Sequence, residues 1–165
     1  MKLTLSGVVS VLLLCAAVFA AESDALKLGS GVSPHGKIDA IYQVFSDGYK
    51  NLDPSFVTKV YTDDALYLAP DQDIQKGAKP IVDGFTGWFQ MVKQQQEQLR
   101  IKFEIVERKV AQDLGFDVGI FTLSRMKNGT TLSSDRGKFI VVTQEMPDGS
   151  WKFRVDGYST LKPEK

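Results

Sequence analysis

Between residues 99 and 160 the sequence is a succession of segments in which apolar and polar residues alternate. The segments are LRIKFEIVERKV, GFDVGIFTLSRM, DRGKFIVVTQEM and WKFRVDGYST. Asn128-Gly129 separates the second from the third and PDGS separates the third from the fourth, and both turn sequences favour β-hairpins. Because alternation is typical of strands with one buried face, this stretch predicts four long antiparallel strands.

Helix-like spacing of apolar residues precedes this β-rich stretch. A first helix is predicted after Pro34, because apolar residues recur at intervals of three and four as far as Leu52. A short second helix follows, then DDALYLAP as a strand, DQDIQKGAK as a loop, and a third helix from Pro80. Three helices followed by a long antiparallel sheet predict one α+β domain over residues 36–161, with the helices packed on one sheet face. Residues 21–35 are predicted to be a flexible leader.

The predicted third helix contains two glycines, Gly84 and Gly87. Glycine in a helix interior costs about 1 kcal/mol relative to alanine. The two positions are explained either by the close approach of a neighbouring element or ligand, or by simple tolerance of glycine.

The first twenty residues, MKLTLSGVVSVLLLCAAVFA, are typical of a secretory signal peptide, with an early lysine, an apolar run and small residues at the end. Cleavage is predicted after Ala20. Since no basic stop-transfer cluster follows, we predict a secreted or periplasmic protein without a stable membrane anchor. Mass spectrometry of the mature protein tests this prediction, and an intact Met1 would contradict it.

Removal of the signal peptide takes away Lys2 and Cys15, which leaves 19 basic and 20 acidic residues, a net charge of 19 − 20 = −1, and no cysteine. Thiol catalysis, zinc–thiolate sites and redox switching are thereby excluded. The single histidine, His35, precedes the first predicted helix, which argues against histidine-based acid–base catalysis. No basic run is present, so nucleic acid is not a predicted partner.

Several short motifs, taken in order, resemble the nuclear-transport-factor-2-like superfamily and in particular its SnoaL-like branch. The motifs are NLDPSFVTKVYTDDALYLAP, KGAKPIVDGF, DVGIFTL, GKFIVV and DGSWKFRVDGYS, and the resemblance covers roughly residues 36 to 160. It implies a cone in which a curved sheet wraps around three helices and leaves a pocket at its open end. It also implies a homodimer joined through the outer sheet face, or alternatively a larger assembly, because this fold also serves as an oligomerisation domain.

The resemblance implies that alternate residues of the last strand face the pocket, whereas Trp151, Phe153 and Val155 pack on the other side. The predicted ligand-binding residues are mostly aromatic, with two arginines and one carboxylate: Tyr67, Phe85, Trp88, Phe121, Arg125, Arg154, Asp156 and Tyr158. This lining favours a small apolar ligand that is oxygenated or anionic, held by the planar fork of arginine. The alternatives are a solvated strand face and an ordinary aromatic core.

Catalysis of the ketosteroid-isomerase type is not supported by the residues at the corresponding positions. The base position falls on Ala69, the tyrosine position falls on Phe45, and the strand GKFIVVTQEM contains no aspartate. The sequence therefore predicts ligand binding without an assigned reaction. An isomerase, cyclase or dehydratase that uses Asp156 as a base, with Tyr67 or Tyr158 as proton donor, remains the alternative.

No metal or cofactor site is predicted. Asp63 and Asp64 match the superfamily's turn into a strand, and DQDIQKG has Lys76 where a calcium loop requires glycine. Asn128 begins the sequon NGT at a predicted hairpin tip, which would be glycosylated if the protein comes from a eukaryote.

Overall fold

Three helices and seven strands make up residues 25–161, the part of the chain that the computed structural model describes. The helices are α1 (Gly36–Asn51), α2 (Phe56–Val60) and α3 (Ala78–Gln94). The strands are β1 (Leu26–Leu28), β2 (Tyr61–Leu68), β3 (Gln75–Lys76), β4 (Gln98–Ala111), β5 (Leu114–Lys127), β6 (Thr130–Glu145) and β7 (Trp151–Thr160). The predicted signal peptide lies outside the described residues. No helix within residues 25–161 is long and apolar enough to cross a membrane.

The seven strands form one curved sheet in the order β1-β4-β5-β6-β7-β2-β3. The α+β class is confirmed, and the four long strands pair antiparallel as predicted. The sheet is nevertheless mixed, because β1 runs parallel to β4 and β2 runs parallel to β7. The predicted strand DDALYLAP falls largely in β2, between α2 and α3, as expected, but an arrangement with three helices ahead of the whole sheet is not confirmed, since β1 precedes α1 and β3 precedes α3.

Two short strands lie where irregular segments were predicted. Leu26 and Leu28 of β1 belong to the predicted flexible leader, yet they pack against the core while β1 pairs with β4. Strand β3 lies inside the predicted loop DQDIQKGAK and pairs with β2. Strands of two or three residues are too short to show a periodicity, so these pairings become visible only in the folded chain.

Helix α1 begins two residues after Pro34, and its first turn is capped by His35. The backbone N–H of Ile38 donates to His35 Nδ1 at 3.3 Å, and the backbone N–H of His35 donates to Asp39 Oδ2 at 3.1 Å. These bonds satisfy amide groups that have no partner inside the helix. The histidine therefore caps the start of α1, the helix whose Tyr42, Phe45 and Tyr49 belong to the core.

Aromatic residues dominate the core between the helices and the sheet. Phe45 of α1 lies at the centre, with its ring centroid 5.4 Å from that of Phe103 and 4.9 Å from that of Phe56. Both pairs have the edge-to-face geometry that aromatic rings prefer. Because residues 25–161 contain no cysteine, this packed core and the sheet hydrogen bonds hold the fold together.

Two β-bulges decide which side chains of the long strands face inward. On β4, Ile105 and Glu107 pair with consecutive residues of β5, so Val106 is an extra residue. On β7, Phe153 and Val155 pair with consecutive residues of β6, so Arg154 is an extra residue. An extra residue exchanges the inward and outward faces of the strand beyond it.

The bulge in β7 changes which residues of that strand face the core and which face outward, compared with the prediction. Trp151 and Phe153, before the bulge, and Asp156, after it, are all buried on the same side of the sheet. The prediction that Val155 packs with Trp151 and Phe153 is therefore wrong, since Val155 lies on the outer face with its partner Val142.

Candidate functional site

A cavity of about 410 Å³ lies between α1, α3 and the inner face of the sheet. Its volume falls in the range of about 300–1,000 Å³ that is usual for small-molecule sites. Half of the residues that line it are aromatic, among them Tyr49 from α1, Phe85 and Trp88 from α3, and Tyr67, Phe121 and Tyr158 from the sheet. Sequence-predicted residues from three separate parts of the chain are thus brought together around one space.

Asp156 is the buried ionisable group of this cavity. Its side chain is only 6% exposed, and Tyr61 Oη donates a hydrogen bond to its Oδ2 atom at 2.5 Å. Burial raises the pKa of Asp156 to about 6, and the hydrogen bond from Tyr61 lowers the pKa in opposition. The carboxyl group therefore changes its charge near physiological pH, which is a property of groups that bind or transfer protons.

The aromatic rings around Asp156 contact one another and hold the cavity open. The ring of Tyr67 lies 6.2 Å from that of Tyr61 and 5.9 Å from that of Tyr158, and Phe121 lies 5.8 Å from Tyr158. Burial raises the pKa of Tyr61 and of Tyr67 above the ordinary value, so both phenols remain neutral donors. The cavity thus offers apolar ring faces together with a few hydroxyl groups.

Two glycines shape the wall. A Cβ atom at Gly137 would lie 2.2 Å from the ring of Phe121, so only glycine allows that ring to take its place in the wall. At Gly84 of α3, which lines the cavity, an added Cβ atom would meet no atom within 4 Å. Close approach of a neighbouring element therefore does not explain Gly84, which is exposed, and the space beside it is open both to solvent and to a ligand.

The inward residues form a continuous row across six strands of the sheet. From one side to the other, directly paired residues are Gln75, Tyr67, Asp156, Val141, Asp117 and Arg108. Residues paired in this way point to the same face of a sheet. The row therefore carries Asp156 in the cavity wall and a second buried carboxylate, Asp117, two strands away.

The negative charge of the buried Asp117 carboxylate is offset by neighbouring side chains. Arg108 donates two hydrogen bonds to its carboxylate, both at 2.7 Å, and a third to Asp39 at 2.5 Å. Tyr42, whose ring lines the cavity, donates to Asp117 Oδ2 at 2.7 Å. The arginine and Asp117 side chains are only 3% and 1% exposed, so this is a buried ion pair with well-formed hydrogen bonds.

No protein-family model matches the chain, and no curated protein matches it. Among solved structures, an NTF2-like protein with a cystatin-like fold from Novosphingobium aromaticivorans has a TM-score of 0.66 and 14% identity, covering 78% of this chain and 82% of that chain. A ketosteroid isomerase-like protein from Erwinia carotovora atroseptica has a TM-score of 0.61 and 17% identity, covering 76% and 95%. An NTF2-like superfamily protein from Salmonella enterica has a TM-score of 0.57 and 17% identity, covering 78% and 92%.

The chain has the NTF2-like fold. The resemblance seen in the sequence is thereby confirmed at the level of this fold, and the SnoaL-like branch stays a prediction. Because identities this low establish the architecture alone, the roles of individual residues have to be argued from the cavity of this chain.

Both arginines that were predicted to line the cone of the NTF2-like fold lie outside the cavity wall. Arg154 is the extra residue of the β7 bulge, and it donates to the backbone oxygen of Asp64 at 2.6 Å and pairs with the Asp64 carboxylate at 3.2 Å. Arg125 lies near the end of β5, where it binds Glu97 Oε2 at 2.6 Å. Each guanidinium is thus held by a carboxylate elsewhere, and the predicted arginine fork for a ligand is wrong.

The remaining six predicted residues line the cavity: Tyr67, Phe85, Trp88, Phe121, Asp156 and Tyr158. Sequence reasoning missed Tyr61, the hydrogen-bond partner of Asp156, and it missed Gln75 and Asp135 in the wall. Tyr61 precedes the predicted strand DDALYLAP, so the alternation within that strand gave no signal for it.

Positions that carry catalytic groups in ketosteroid isomerases are apolar in this NTF2-like cone. Ala69 and Phe45, which the resemblance in the sequence assigns to the positions of the base and the tyrosine, both line the cavity. Within the described part of the chain, no three His, Cys, Asp or Glu side chains are grouped so that they could hold a metal ion. What the cavity can do chemically therefore depends on the carboxyl groups of Asp156 and Asp135, the hydroxyls of the tyrosines and Thr160, and the amide groups of Gln72 and Gln75.

Proposed function

We propose that this protein is exported and binds a small, mainly apolar organic ligand in the cavity of its NTF2-like cone. The observation that carries the proposal is the cavity of about 410 Å³ itself, which has aromatic walls and one buried carboxylate. A space of this size is unusual in a core that serves only for packing, since protein interiors contain few voids larger than a water molecule. Export rests on the signal peptide predicted for residues 1–20.

The polar part of the ligand is constrained by the groups that remain in the wall. An oxygenated ligand is supported, because a hydroxyl group could donate to Asp156 and accept from a tyrosine. An anionic ligand loses its support, because no Lys, Arg or His is among the lining residues of the described chain. A carboxylate ligand would also lie close to the charge of Asp156 and be repelled by it.

A catalytic role for Asp156 is the second candidate function. It is favoured by the burial of this carboxyl group, its pKa of about 6 and its bond to Tyr61, and one structural neighbour is a ketosteroid isomerase-like protein. The apolar residues Ala69 and Phe45 argue against that reaction as other proteins perform it. Turnover of a steroid-type enone by the wild type, abolished in Asp156→Asn, would support the enzyme.

The open space beside Gly84 provides a direct test of binding. Gly84→Leu is expected to fill part of the cavity and weaken the binding of 1-naphthalenemethanol, a neutral aromatic probe, by about tenfold or more, which is about 1.4 kcal/mol, because the leucine side chain takes up space that the probe needs. Isothermal titration calorimetry measures the affinity. The variant should not lose helix stability, because leucine is a better helix former than glycine.

Gly87→Leu is the matched control for this substitution. Gly87 lies in the same helix, an added Cβ atom there also meets no atom within 4 Å, and the residue does not line the cavity. Arg154→Met serves as a second control, because Arg154 lies outside the cavity wall. Both controls are expected to bind the probe as the wild type does. Equal affinity in Gly84→Leu and Gly87→Leu would contradict the placement of the ligand.

We also propose that two copies of the chain associate through the outer face of the sheet. Most apolar residues of IKFEI and WKFRV are buried in the core and add nothing to this face, whereas Val155 lies on it. The outer face of β5 and β6 supplies other apolar residues, including Val118, Val142 and Ile140, the last of which is 51% exposed. An apolar patch of this kind favours contact with a partner over contact with water.

Sedimentation at micromolar concentration is expected to give twice the mass of one chain. Ile140→Asp should return the mass to that of one chain while leaving probe binding in the cavity unchanged, because Ile140 points away from it. A single-chain mass for the wild type would refute the dimer, and a large ring would favour the assembly alternative.

A further inference from the structure

Asp117 and Asp156, the two buried carboxylates in the row of paired inward residues, differ in their hydrogen-bond partners. Asp117 has Arg108 beside it on the row and accepts two hydrogen bonds from its guanidinium. Asp156, two strands away on the same face, has the hydroxyl of Tyr61 as its one side-chain hydrogen-bond donor among residues 25–161. No cation contributes to the pKa of Asp156, which is set by burial and by Tyr61.

A buried carboxylate without a cation is costly, because the charge has been taken out of water with nothing to offset it. Carboxyl groups whose pKa is strongly raised by burial, when they lie in a cleft, are candidates for functional sites, where a ligand can supply the opposite charge. At Asp156 the missing component is a positive charge on the cavity side. The position is reachable by a ligand, since Asp156 is part of the cavity wall.

The other residues of the cavity wall are also suited to bind a positively charged group. Ring faces of tyrosine, tryptophan and phenylalanine attract ammonium groups, and several such rings surround Asp156. Gln75, on the same row as Asp156, has a buried Oε1 atom that accepts no hydrogen bond from the described residues. Asp135, paired with Leu123 on β5, adds a second carboxylate to the lining.

We propose that the ligand carries a protonated amine, which donates hydrogen bonds to Asp156 and lies against the aromatic rings of Tyr67, Trp88 and Tyr158. This inference rests on the proposed function, because it assigns a chemical class to the ligand of the same cavity. The rest of the ligand is apolar and aromatic or alicyclic, as the wall formed by Phe85 and Phe121 requires.

Three probes of matched shape test the charge preference. They share one naphthyl body and differ in one substituent: 1-naphthylmethylamine is a cation, 1-naphthalenemethanol is neutral, and 1-naphthoate is an anion. Calorimetric titration of the full mature chain at about pH 7.5 is expected to show that the amine binds about tenfold or more tightly than the alcohol, since hydrogen bonds to a charged group are the stronger ones. The anion should bind most weakly.

Asp156→Asn should remove this preference. Asparagine keeps an acceptor for Tyr61 and nearly the same shape, so amine and alcohol are expected to bind the variant within about twofold of each other. Asp64→Asn is the matched control, because Asp64 is exposed, pairs with Arg154 and does not line the cavity. Amine affinity in the control should equal that of the wild type at physiological salt.

The direction in which affinity changes with pH distinguishes an amine ligand from a ligand that requires the protonated carboxyl group of Asp156. Because the pKa of Asp156 is about 6, an amine that requires its carboxylate should bind about tenfold less tightly at about pH 5 than at about pH 7.5. A ligand that accepts a hydrogen bond from the protonated carboxyl group would instead bind more tightly at the lower pH. The amine probe remains protonated at both pH values.

Other titratable groups near Asp156 do not interfere with this measurement. The titratable groups that face Asp156 from the packed elements are the phenols of Tyr42 and Tyr49 on α1, Tyr61 and Tyr67 on β2, and Tyr158 on β7. The cavity wall also contains the carboxyl group of Asp135, further along β6. Burial raises the pKa values of the four tyrosines on α1 and β2 above the ordinary value, so they keep their protons throughout. Asp135→Asn, measured in parallel, identifies any share of the pH effect that comes from that residue.

Each outcome has a distinct meaning. If the alcohol binds, Gly84→Leu blocks it, and the amine binds no more tightly, the amine assignment is overturned and the proposed function stands. An amine preference that persists in Asp156→Asn, or amine affinity that rises at low pH, also overturns the assignment. If no probe binds wild type or Gly87→Leu, the proposed function fails and the amine assignment fails with it.

Discussion

Replacing Arg108 by Met is expected to destabilise the protein by about 3–5 kcal/mol, the usual effect of removing one partner from a buried ion pair. The substitution leaves the carboxylate of Asp117, which is only 1% exposed, without the two hydrogen bonds and the charge that offset its burial. Asp39 loses its bond to the same guanidinium. Urea denaturation followed by far-ultraviolet circular dichroism gives the free energy of unfolding.

Arg125→Met is the matched control for Arg108→Met. Arg125 also binds a carboxylate, that of Glu97, but its side chain is 39% exposed, and such pairs contribute about 0–1 kcal/mol. Combining Arg108→Met with Asp117→Asn should recover part of the lost stability, because the uncompensated charge is then removed. Equal losses for Arg108→Met and Arg125→Met would show that the buried network has no special role.

Asp156→Asn is expected to stabilise the protein by about 2–3 kcal/mol at about pH 8 and to have no such effect at about pH 4. The pKa of Asp156 is raised by burial from 3.8 to about 6 in the folded protein. The protonated form is therefore favoured by folding, and its contribution, complete below the unfolded pKa, is lost as the pH rises through about 6. Asparagine stays neutral at every pH and still accepts the hydrogen bond from Tyr61.

Thermal or urea unfolding across the range from about pH 4 to about pH 8 measures this effect. The difference between the two proteins should grow with pH and level off above about pH 7. A gain of stability when a binding group is removed is common, because functional sites are often strained or electrostatically unfavourable without their ligand. A constant difference at all pH values would mean that Asp156 is not the group that titrates.

The sequence contains enough information for the meander and the three helices, because their periodicities are long and strong. DVGIFTL and GKFIVV alternate over many residues, and Asn128-Gly129 fixes the turn between their strands. Strands β1 and β3 could not be predicted in this way, because a segment of two or three residues is too short to show a periodicity. Their positions depend on partners that are distant in the chain, namely residues 103–105 and 66–67.

The bulges explain which parts of the candidate site could be predicted. Asp156 and Tyr158 were placed in the cavity, although simple alternation from Trp151 and Phe153 puts them on the opposite face. An extra residue at Arg154 reconciles the two observations, and it also moves Arg154 itself to the outside. The position of a bulge depends on the register with β6, which the alternation of a single strand does not reveal.

The two edges of the sheet bear on how the protein behaves when it is crowded. Strand β3 has two residues, and β1 covers the middle of β4 with three, one of which is Lys27 paired to Glu104. Beyond β1, the bulge at Val106 interrupts the regular ladder of β4. Short edge strands, an edge lysine and a bulge each hinder another molecule from adding a strand. Fibrous aggregation by addition of strands at the sheet edge is therefore disfavoured.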